Sequence, residues 1–228
     1  MERGRNAQYA AASGIIAVIL MVVGFFVVFS SDVPKLDDPA QDWATFYSDH
    51  QDRIQVGVTI VGIGLFFYIW FLGSLRDAIA ASEGGTGRLA SVAFAGGLIG
   101  AVLFMIVITA TAAAAFHPDE VDPAITRALN DFGALVAAPA AAGFAALFAA
   151  SSLAGYRHGA FPAPVAGIAA LAAICQPLAY TAALTDSGAF AADGAITFWI
   201  PFVTFVAGVL ALSISAVRQA GGARVGAQ

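Results

Sequence analysis

Charged residues are scarce in this sequence of 228 residues. Asp, Glu, Lys and Arg make up only 11% of the chain, whereas hydrophobic residues make up 60%. Soluble domains carry about 25% charged residues, so a water-soluble fold of this length would lack the polar surface needed to cover it. The scarcity of charge therefore predicts a membrane protein before any motif is considered.

Cysteine and basic residues are also scarce. The single Cys175 excludes a disulfide within the chain, and without a second thiol the class of thiol-redox enzymes is excluded as well. Ten Lys and Arg residues stand against fifteen Asp and Glu residues, which gives a net charge of −5. Because phosphate binding needs clustered basic side chains, this balance argues against nucleic acid as a partner.

Ionisable residues are missing from the centres of the long hydrophobic runs. Proton-coupled transporters and ion pumps usually place Asp, Glu, His or Lys there, so both classes are disfavoured. The same absence of histidine disfavours a membrane cytochrome. His50, His117 and His158 do not have the spacing of a zinc site. We therefore expect neither a metal nor another cofactor.

Long runs without charge are what the sequence has in abundance, and there are six of them. Each exceeds the roughly 18–20 residues that cross a hydrocarbon core about 30 Å thick. We predict an all-α polytopic membrane protein, a single transmembrane domain over residues 1–228, with six transmembrane helices in a compact bundle. The predicted spans are residues 10–31, 54–75, 89–115, 130–154, 164–184 and 195–217.

Basic residues are distributed unequally between the two ends of these spans. Seven lie at the end that holds both termini: Arg3, Arg5, Arg76, Arg88, Arg157, Arg218 and Arg224. Three lie at the other end: Lys35, Arg53 and Arg127. By the positive-inside rule, this split predicts a multi-pass protein of the plasma membrane with both termini in the cytoplasm.

The outer connection between the first two spans is polar and aromatic. Asp38 followed by Pro39 is typical of a helix start, with the aspartate as N-cap and the proline in the first helical position. The side chains that follow recur at helical spacing on one face: Trp43, Phe46, Tyr47 and His50. We predict a short amphipathic helix over residues 39–52 on the outer face, capping the mouth of the bundle.

Small residues and prolines are placed inside the spans in ways that bear on packing. Gly96 and Gly100 form a GxxxG motif, which favours close approach of two helices. Pro139, Pro177 and Pro201 fall within the last three spans, and we expect each to kink its helix or to mark a local opening.

Two groups of polar residues are candidates for a site. Arg127 and Asp131 are one turn apart, and they form either an ordinary ion pair or, with Asn130, the opening of a polar pocket. Gln176 and Tyr180 are one helical turn apart in the fifth span, so we predict that they lie on the same face of the helix. They either join neighbouring helices by hydrogen bonds or line a cavity.

These observations predict an integral membrane protein that binds a small apolar or lipid-like ligand in an outward-facing cavity. The predicted ligand-binding residues are Trp43, Tyr47, His50, Asn130, Gln176 and Tyr180. One alternative is a membrane-embedded enzyme that acts on an isoprenoid or lipid substrate, and another is a small-solute transporter. The expected partners are the lipid bilayer, a lipid or isoprenoid ligand, and either another membrane protein or a second copy of this chain.

The overall pattern resembles uncharacterised six-span integral membrane proteins of high-GC bacteria. The features are arginine in place of lysine, spans rich in Ala and Gly, and a second span that ends "FFYIWFLGSLRDAIA". The chain is also similar, as a compact helical bundle, to small membrane-bound terpene cyclases. That resemblance implies that carboxylates near the bundle mouth protonate an isoprenoid, a role that Asp52 and Asp131 would take here.

Overall fold

The computed structural model describes residues 2–30 and 32–222, with side chains over residues 10–30 and 32–219. Two predictions fall outside the described residues: the position of Arg224 at the cytoplasmic end, and residue 31 as the end of the first span. The helices in chain order are α1 (Glu2–Val28), α2 (Ala40–Asp49), α3 (Gln51–Glu83), α4 (Arg88–Ala114), α5 (Pro123–His158), α6 (Ala163–Cys175) and α7 (Ile200–Gly222).

Six helical segments of the described chain are long and apolar enough to cross a membrane. The prediction of an all-α bundle with six membrane-crossing helices is therefore confirmed. Large apolar side chains such as Ile19, Phe66 and Trp70 are exposed on the outside of the bundle, as expected of a surface that faces lipid rather than water. Two helices extend beyond the predicted spans: α3 continues to Glu83, and α5 begins at Pro123.

The last two membrane segments are not uniform α-helices. A 3-10 segment, Gln176–Ala183, continues α6, and a π-helical turn, Ala195–Trp199, precedes α7. Pro177 lies in the first turn of the 3-10 segment and Pro201 in the first turn of α7, so both mark local changes of helix type. Pro139 lies within the continuous helix α5 and does not end it.

Helix backbones approach each other closely where glycine faces glycine. A Cβ atom added to Gly143 of α5 would lie 2.6 Å from the nitrogen of Gly100 and the carbonyl oxygen of Gly96 on α4. The predicted close approach of two helices at the GxxxG motif is therefore confirmed, and the structure shows that α5 is the partner of α4. Gly24 of α1 and Gly57 of α3 meet in the same way, since a Cβ on Gly24 would lie 2.7 Å from the carbonyl oxygen of Gly57.

Aromatic rings fill the middle of the bundle. Tyr68 lies with its ring centroid 5.9 Å from Phe205, 6.1 Å from Phe71 and 6.3 Å from Phe144. These rings belong to one buried apolar cluster to which α1, α3, α4, α5, α6 and α7 all contribute. The centre of the membrane-crossing part is thus closed by side chains.

The two ends of the bundle differ in construction. One end, here called the α2 end, consists of α2 and of the connections 29–39, 115–122 and 184–194. The opposite end has short turns in which Gly84, Gly87 and Gly159 adopt positive φ angles of 62°, 65° and 68°. Because only glycine adopts such angles at no steric cost, these residues permit the tight reversals.

Candidate functional site

Helix α2 lies across its end of the bundle with its aromatic face buried. Trp43, Phe46 and Tyr47 pack into a second apolar cluster with residues of α1, α3 and α4, including Val28 and Ile54. This confirms the predicted amphipathic helix and shows that its aromatic face is buried against the bundle. The observed helix, Ala40–Asp49, is shorter than the predicted 39–52 because the chain bends at His50, where φ is −122° and ψ is 19°. The residues after this bend belong to α3.

The start of α2 differs from the prediction. The N-cap position is occupied by Pro39, and no side chain caps the helix there. The carboxylate of Asp38 instead accepts a hydrogen bond of 2.8 Å from the backbone N–H of Lys35. The indole N–H of Trp43 donates to the Lys35 carbonyl at 3.2 Å. The connection before α2 is therefore folded back onto the helix and held by it.

Arg127, in the second turn of α5, holds this connection in place. Its two terminal guanidinium nitrogens donate to the backbone carbonyls of Leu36 and Asp38. Its Nε donates to both carboxylate oxygens of Asp131, at 3.0 Å and 3.1 Å. One arginine thus joins α5 to a loop about ninety residues earlier in the chain. We call Arg127 and Asp131 the arginine clamp.

The buried side of α2 contains a further polar contact. The hydroxyl of Tyr47, which is 0% exposed, donates to Oδ1 of Asn130 at 3.3 Å. Burial raises the pKa of this phenol well above its ordinary value, and a hydrogen bond with the Thr111 side chain offsets part of the increase. Tyr47 is therefore a neutral hydrogen-bond donor at every physiological pH.

The exposed side of α2 and the start of α3 bind the connection between α4 and α5. Ser48 donates to a carboxylate oxygen of Asp119 at 2.7 Å. The amides of Gln51 and Gln55 donate to the carbonyls of Phe116 and Ala115, at 3.0 Å and 3.4 Å. With the backbone N–H of Leu36 bonded to Asp193 at 3.4 Å, α2 and its flanking residues contact every connection at this end.

The residues predicted to act as acids have other surroundings in the structure. Asp131 is bound by Arg127, and Asp52 is exposed in the first turn of α3. His50 is half-buried, with its ring 5.1 Å from that of Phe46. We call residues 40–50, which comprise α2 and the bend after it, the α2 cap. Of the eight predicted site residues, the structure brings together Trp43, Tyr47 and His50 on the α2 cap and Asn130 and Asp131 beside it.

Gln176 and Tyr180 do not share a face, and this prediction was wrong. Gln176 is only 2% exposed and donates from its side-chain amide to the carbonyl of Pro201 at 2.9 Å, whereas Tyr180 is 47% exposed. The physical reason is the 3-10 conformation of this segment, in which residues three apart lie above one another. Accordingly Gln176 and Ala179 are the buried residues of the segment. Gln176 joins two membrane segments by a hydrogen bond.

Two shallow clefts lie on the surface of the described chain, and neither contains a predicted site residue. One has a volume of about 330 Å³ and lies at the C-terminal end of α4, around Phe116 and His117. The other has a volume of about 530 Å³ and runs along α1. We call it the α1 groove, and its lining residues are Val22, Val23, Phe26, Val27, Ser30 and Arg53.

The α1 groove combines an apolar floor with a cation at one end. Phe26 belongs to an exposed aromatic surface with Trp199, whose ring centroid lies 6.5 Å away. Arg53, in the first turn of α3, is half-buried, and its guanidinium carbon lies 5.9 Å from the ring centroid of Phe46 on α2. That distance is typical of a cation–π contact. The α2 cap thus contacts the charged side chain of Arg53, which lines the groove.

Sequence reasoning missed Arg53 as a site residue because it treated this arginine only as part of the charge balance between the two ends. A usable signal was its position directly before a charge-free run, which places a guanidinium at the edge of the hydrocarbon region. Among the described residues, the structure contains no group of three or more His, Cys, Asp and Glu side chains able to hold a metal ion.

Comparison of this chain with protein families, curated proteins and solved structures finds no match.

Proposed function

We propose that this is a non-catalytic integral membrane protein that binds a lipid-like ligand in the α1 groove. One observation carries the proposal: an apolar depression of about 530 Å³ along Val22, Val23, Phe26 and Val27 ends at Arg53. Ligand sites are usually apolar concavities with a few polar groups that fix the ligand's orientation. A groove on the membrane-facing surface is open to molecules dissolved in the bilayer, so the ligand is amphiphilic.

The other two functions considered from the sequence have less support. A terpene-cyclase-like enzyme needs an acid that can reach its substrate, whereas Asp131 is paired with Arg127 at 3.0 Å and Asp52 is exposed outside the groove. A solute transporter needs a path through the bundle, whereas the middle of the bundle is filled by Tyr68, Phe144 and Phe205. Association with another membrane protein or a second copy stays a prediction.

We also propose that the α2 end faces the outside of a bacterial plasma membrane and that both termini are cytoplasmic. The exposed cations of the described chain support this orientation. Arg76, Arg88, Arg157 and Arg218 are exposed at the opposite end, whereas Lys35 is the exposed cation of the α2 end. Reporter fusions after Gly85 and Gly221 should both be cytoplasmic, and an external signal from either would contradict the orientation.

Filling the α1 groove tests the proposed function. Val23 is 46% exposed within the groove, and Val102 is 48% exposed on α4 outside both clefts. A tryptophan at either position faces lipid, but only Val23→Trp fills the groove. We expect protein extracted from vesicles of phosphatidylethanolamine and phosphatidylglycerol to retain a lipid in native mass spectrometry. We expect Val23→Trp to reduce this retention about tenfold, and Val102→Trp to leave it unchanged.

Each other outcome of this experiment has a defined meaning. If the wild-type protein retains no lipid of any kind, or if both tryptophan variants retain as much lipid as the wild type, the proposed function is wrong. The unfolding transition of Val23→Trp should match that of Val102→Trp, which separates loss of binding from loss of folding.

A further inference from the structure

We infer that residues 176–199 form a flap that moves as one unit about two proline hinges, and that its closed position completes the wall of the α1 groove. The inference rests on the proposed function and adds the regulation of that site to it. It follows from the change of helix type in the last two membrane segments, from the hydrogen bonds within residues 176–199, and from ring contacts between this segment and α1.

The first step concerns the two hinges. Pro177 lies where α6 changes into the 3-10 segment, and Pro201 is the second residue of α7, directly after the π-helical turn. Proline has no N–H to donate to the carbonyl four residues earlier, so regular helical bonding is interrupted at both places. A 3-10 stretch within a helix often marks a hinge, and π-helical turns are frequent at functional sites. The hinges lie side by side, because the side-chain amide of Gln176 donates to the carbonyl of Pro201 at 2.9 Å.

The second step concerns the unity of the flap. Its two legs are the 3-10 segment and the π-helical turn, and the hydroxyls of Thr181 and Thr197 form a hydrogen bond between them. The hydroxyl of Thr197 also donates at 2.9 Å to the carbonyl of Phe190, in the connection between the legs. The backbone N–H of Ile196 donates to the carbonyl of Ala189 at 3.0 Å. Because these bonds join both legs and the connection, a movement at one hinge carries the other leg with it.

The third step concerns the contact of the flap with α1. Phe198, in the π-helical turn, stacks on Phe25 of α1 with ring centroids 5.2 Å apart and ring planes at 22°. The next residue, Trp199, lies 6.5 Å from Phe26, which lines the α1 groove. Aromatic rings attract each other at these separations. The closed flap therefore holds the ring of Phe26 in the groove wall, and an open flap leaves that ring without its neighbour.

The fourth step concerns the ligand. A ligand that contacts Phe26 in the groove binds more tightly when the wall is complete, so it favours the closed position of the flap. A ligand shifts an equilibrium between two positions only by the difference in its affinity for them. Binding in the groove should therefore close the flap, and removal of the ligand should leave both positions populated.

Distances between spin labels in the full chain test the movement. One label is placed in the flap at Ser187→Cys and the other in the connection between α4 and α5 at Glu120→Cys, and both positions are exposed. Cys175→Ala removes the native thiol. In detergent micelles without lipid, we expect this pair to show two distances. A single distance under these conditions overturns the inference.

The matched control is a pair of labels that leaves the flap out. Asp49→Cys with Glu120→Cys joins α2 to the same connection, and a hydrogen bond of 2.7 Å between Ser48 and Asp119 links these two regions. We expect one distance for this pair with and without lipid. Two distances here as well would mean that the whole α2 end moves, which contradicts a separate flap.

Addition of phosphatidylethanolamine and phosphatidylglycerol to the micelles tests the coupling to the groove. We expect the population of the longer flap distance to fall at least threefold, and to be insensitive to lipid in Val23→Trp, in which the groove is filled. In the unlabelled wild type, amide hydrogens of residues 176–199 should exchange at least fivefold more slowly with lipid, while those of α4 do not change. If both distances persist unchanged with lipid although Val23→Trp retains less lipid than the wild type, the regulation is wrong and the proposed function stands.

A substitution at one hinge locates the movement. Pro201→Ala supplies the missing N–H and should lower the population of the longer distance at least threefold in the absence of lipid. Pro139→Ala is the matched control, because Pro139 lies within the continuous helix α5, and it should leave both distances unchanged. Equal responses to the two substitutions would place the movement outside the hinges and overturn the inference.

Discussion

At the interface of α4 and α5 the backbones of the two helices touch, whereas at the α2 end aromatic side chains and one arginine make the contacts. The first region contains Gly96, Gly100 and Gly143, with no space for another carbon atom. The second contains Trp43 and Tyr47 on α2 and the guanidinium of Arg127 on α5. Both regions belong to one bundle, but different contacts hold them together: close backbone packing in the first, and buried aromatic rings with hydrogen bonds from one arginine in the second.

The difference follows from what surrounds each region. Within the hydrocarbon region, lipid tails are as apolar as leucine, so the burial of large side chains gives little advantage and close packing of small residues holds helices together. At the α2 end water is near, so burying aromatic rings is favourable by about 25 cal/mol per Å² of apolar surface. Backbone carbonyls of the connections also need donors there, and Arg127 supplies them.

The largest expected loss of stability is at the interface of α4 and α5. Gly143→Leu would place side-chain atoms where a Cβ alone is already 2.6 Å from the α4 backbone. Overpacking costs about 1–3 kcal/mol and occasionally more, and here the obstacle is backbone, so we expect a loss of about 3 kcal/mol or more. Unfolding in mixed micelles measures it. Gly73→Leu is the matched control, because nothing lies within 4 Å of a Cβ there. Equal losses in both variants would contradict the packing.

The next largest loss of stability is expected when the arginine clamp is broken. Arg127→Gln removes the charge-assisted bonds to the carbonyls of Leu36 and Asp38 and to Asp131. Hydrogen bonds to charged groups contribute about 1.5–3 kcal/mol each, but solvent reaches this site, so we expect a loss of about 2 kcal/mol. This loss is local to the α2 end. Amide hydrogens of residues 40–49 should exchange about thirtyfold faster, while those of α4 and α5 within the membrane remain protected.

Arg76→Gln is the control for the clamp. Arg76 forms an exposed ion pair of 3.2 Å with Asp77 at the opposite end, and such pairs contribute at most about 1 kcal/mol. Exchange in residues 40–49 should not change in this variant. If Arg127→Gln behaves like Arg76→Gln, the α2 cap is held by its aromatic face alone.

How much of this was predictable differs between the two regions. The six membrane-crossing helices and the aromatic face of α2 were predictable because apolar periodicity and run length are local properties of the sequence. The GxxxG contact of α4 was predictable as a motif, but its partner Gly143 was not, since nothing local identifies the opposing helix. Gln176 was placed wrongly with Tyr180 because the 3-10 segment replaces the period of an α-helix.

The candidate site depends more on tertiary structure than the spans do. Arg127 was correctly paired with Asp131 from their spacing, but its bonds to the connection before α2 join residues about ninety positions apart. The α1 groove also depends on a juxtaposition, because Arg53 of α3 completes a surface made by five residues of α1 and the connection after it. No periodicity in either segment indicates that they lie side by side.

The smallest expected changes in stability are those of substitutions at two tyrosines whose hydroxyl groups have different surroundings. Tyr47 of the cap donates to Asn130 at 3.3 Å, so Tyr47→Phe should destabilise the protein by about 1 kcal/mol, the usual net contribution of a hydrogen bond. A pH effect accompanies this bond. Because burial raises the pKa of Tyr47 above its ordinary value, the unfolded chain loses that proton first, and stability should fall as the pH rises above about 10. Tyr47→Phe should remove that contribution.

Tyr68→Phe should have the opposite sign. The hydroxyl of Tyr68 is buried in the middle of the bundle and has no hydrogen-bond partner among the described residues. A buried hydroxyl without a partner costs about 1–3 kcal/mol, so its removal should leave the free energy of unfolding unchanged or increase it by about 1 kcal/mol. Unfolding of the two phenylalanine variants, measured side by side, tests this. If Tyr68→Phe destabilises the protein as much as Tyr47→Phe does, the Tyr68 hydroxyl has a bound partner such as a water molecule. In that case the middle of the bundle is not sealed by apolar packing alone, and the contrast between the two regions is smaller than the contacts indicate.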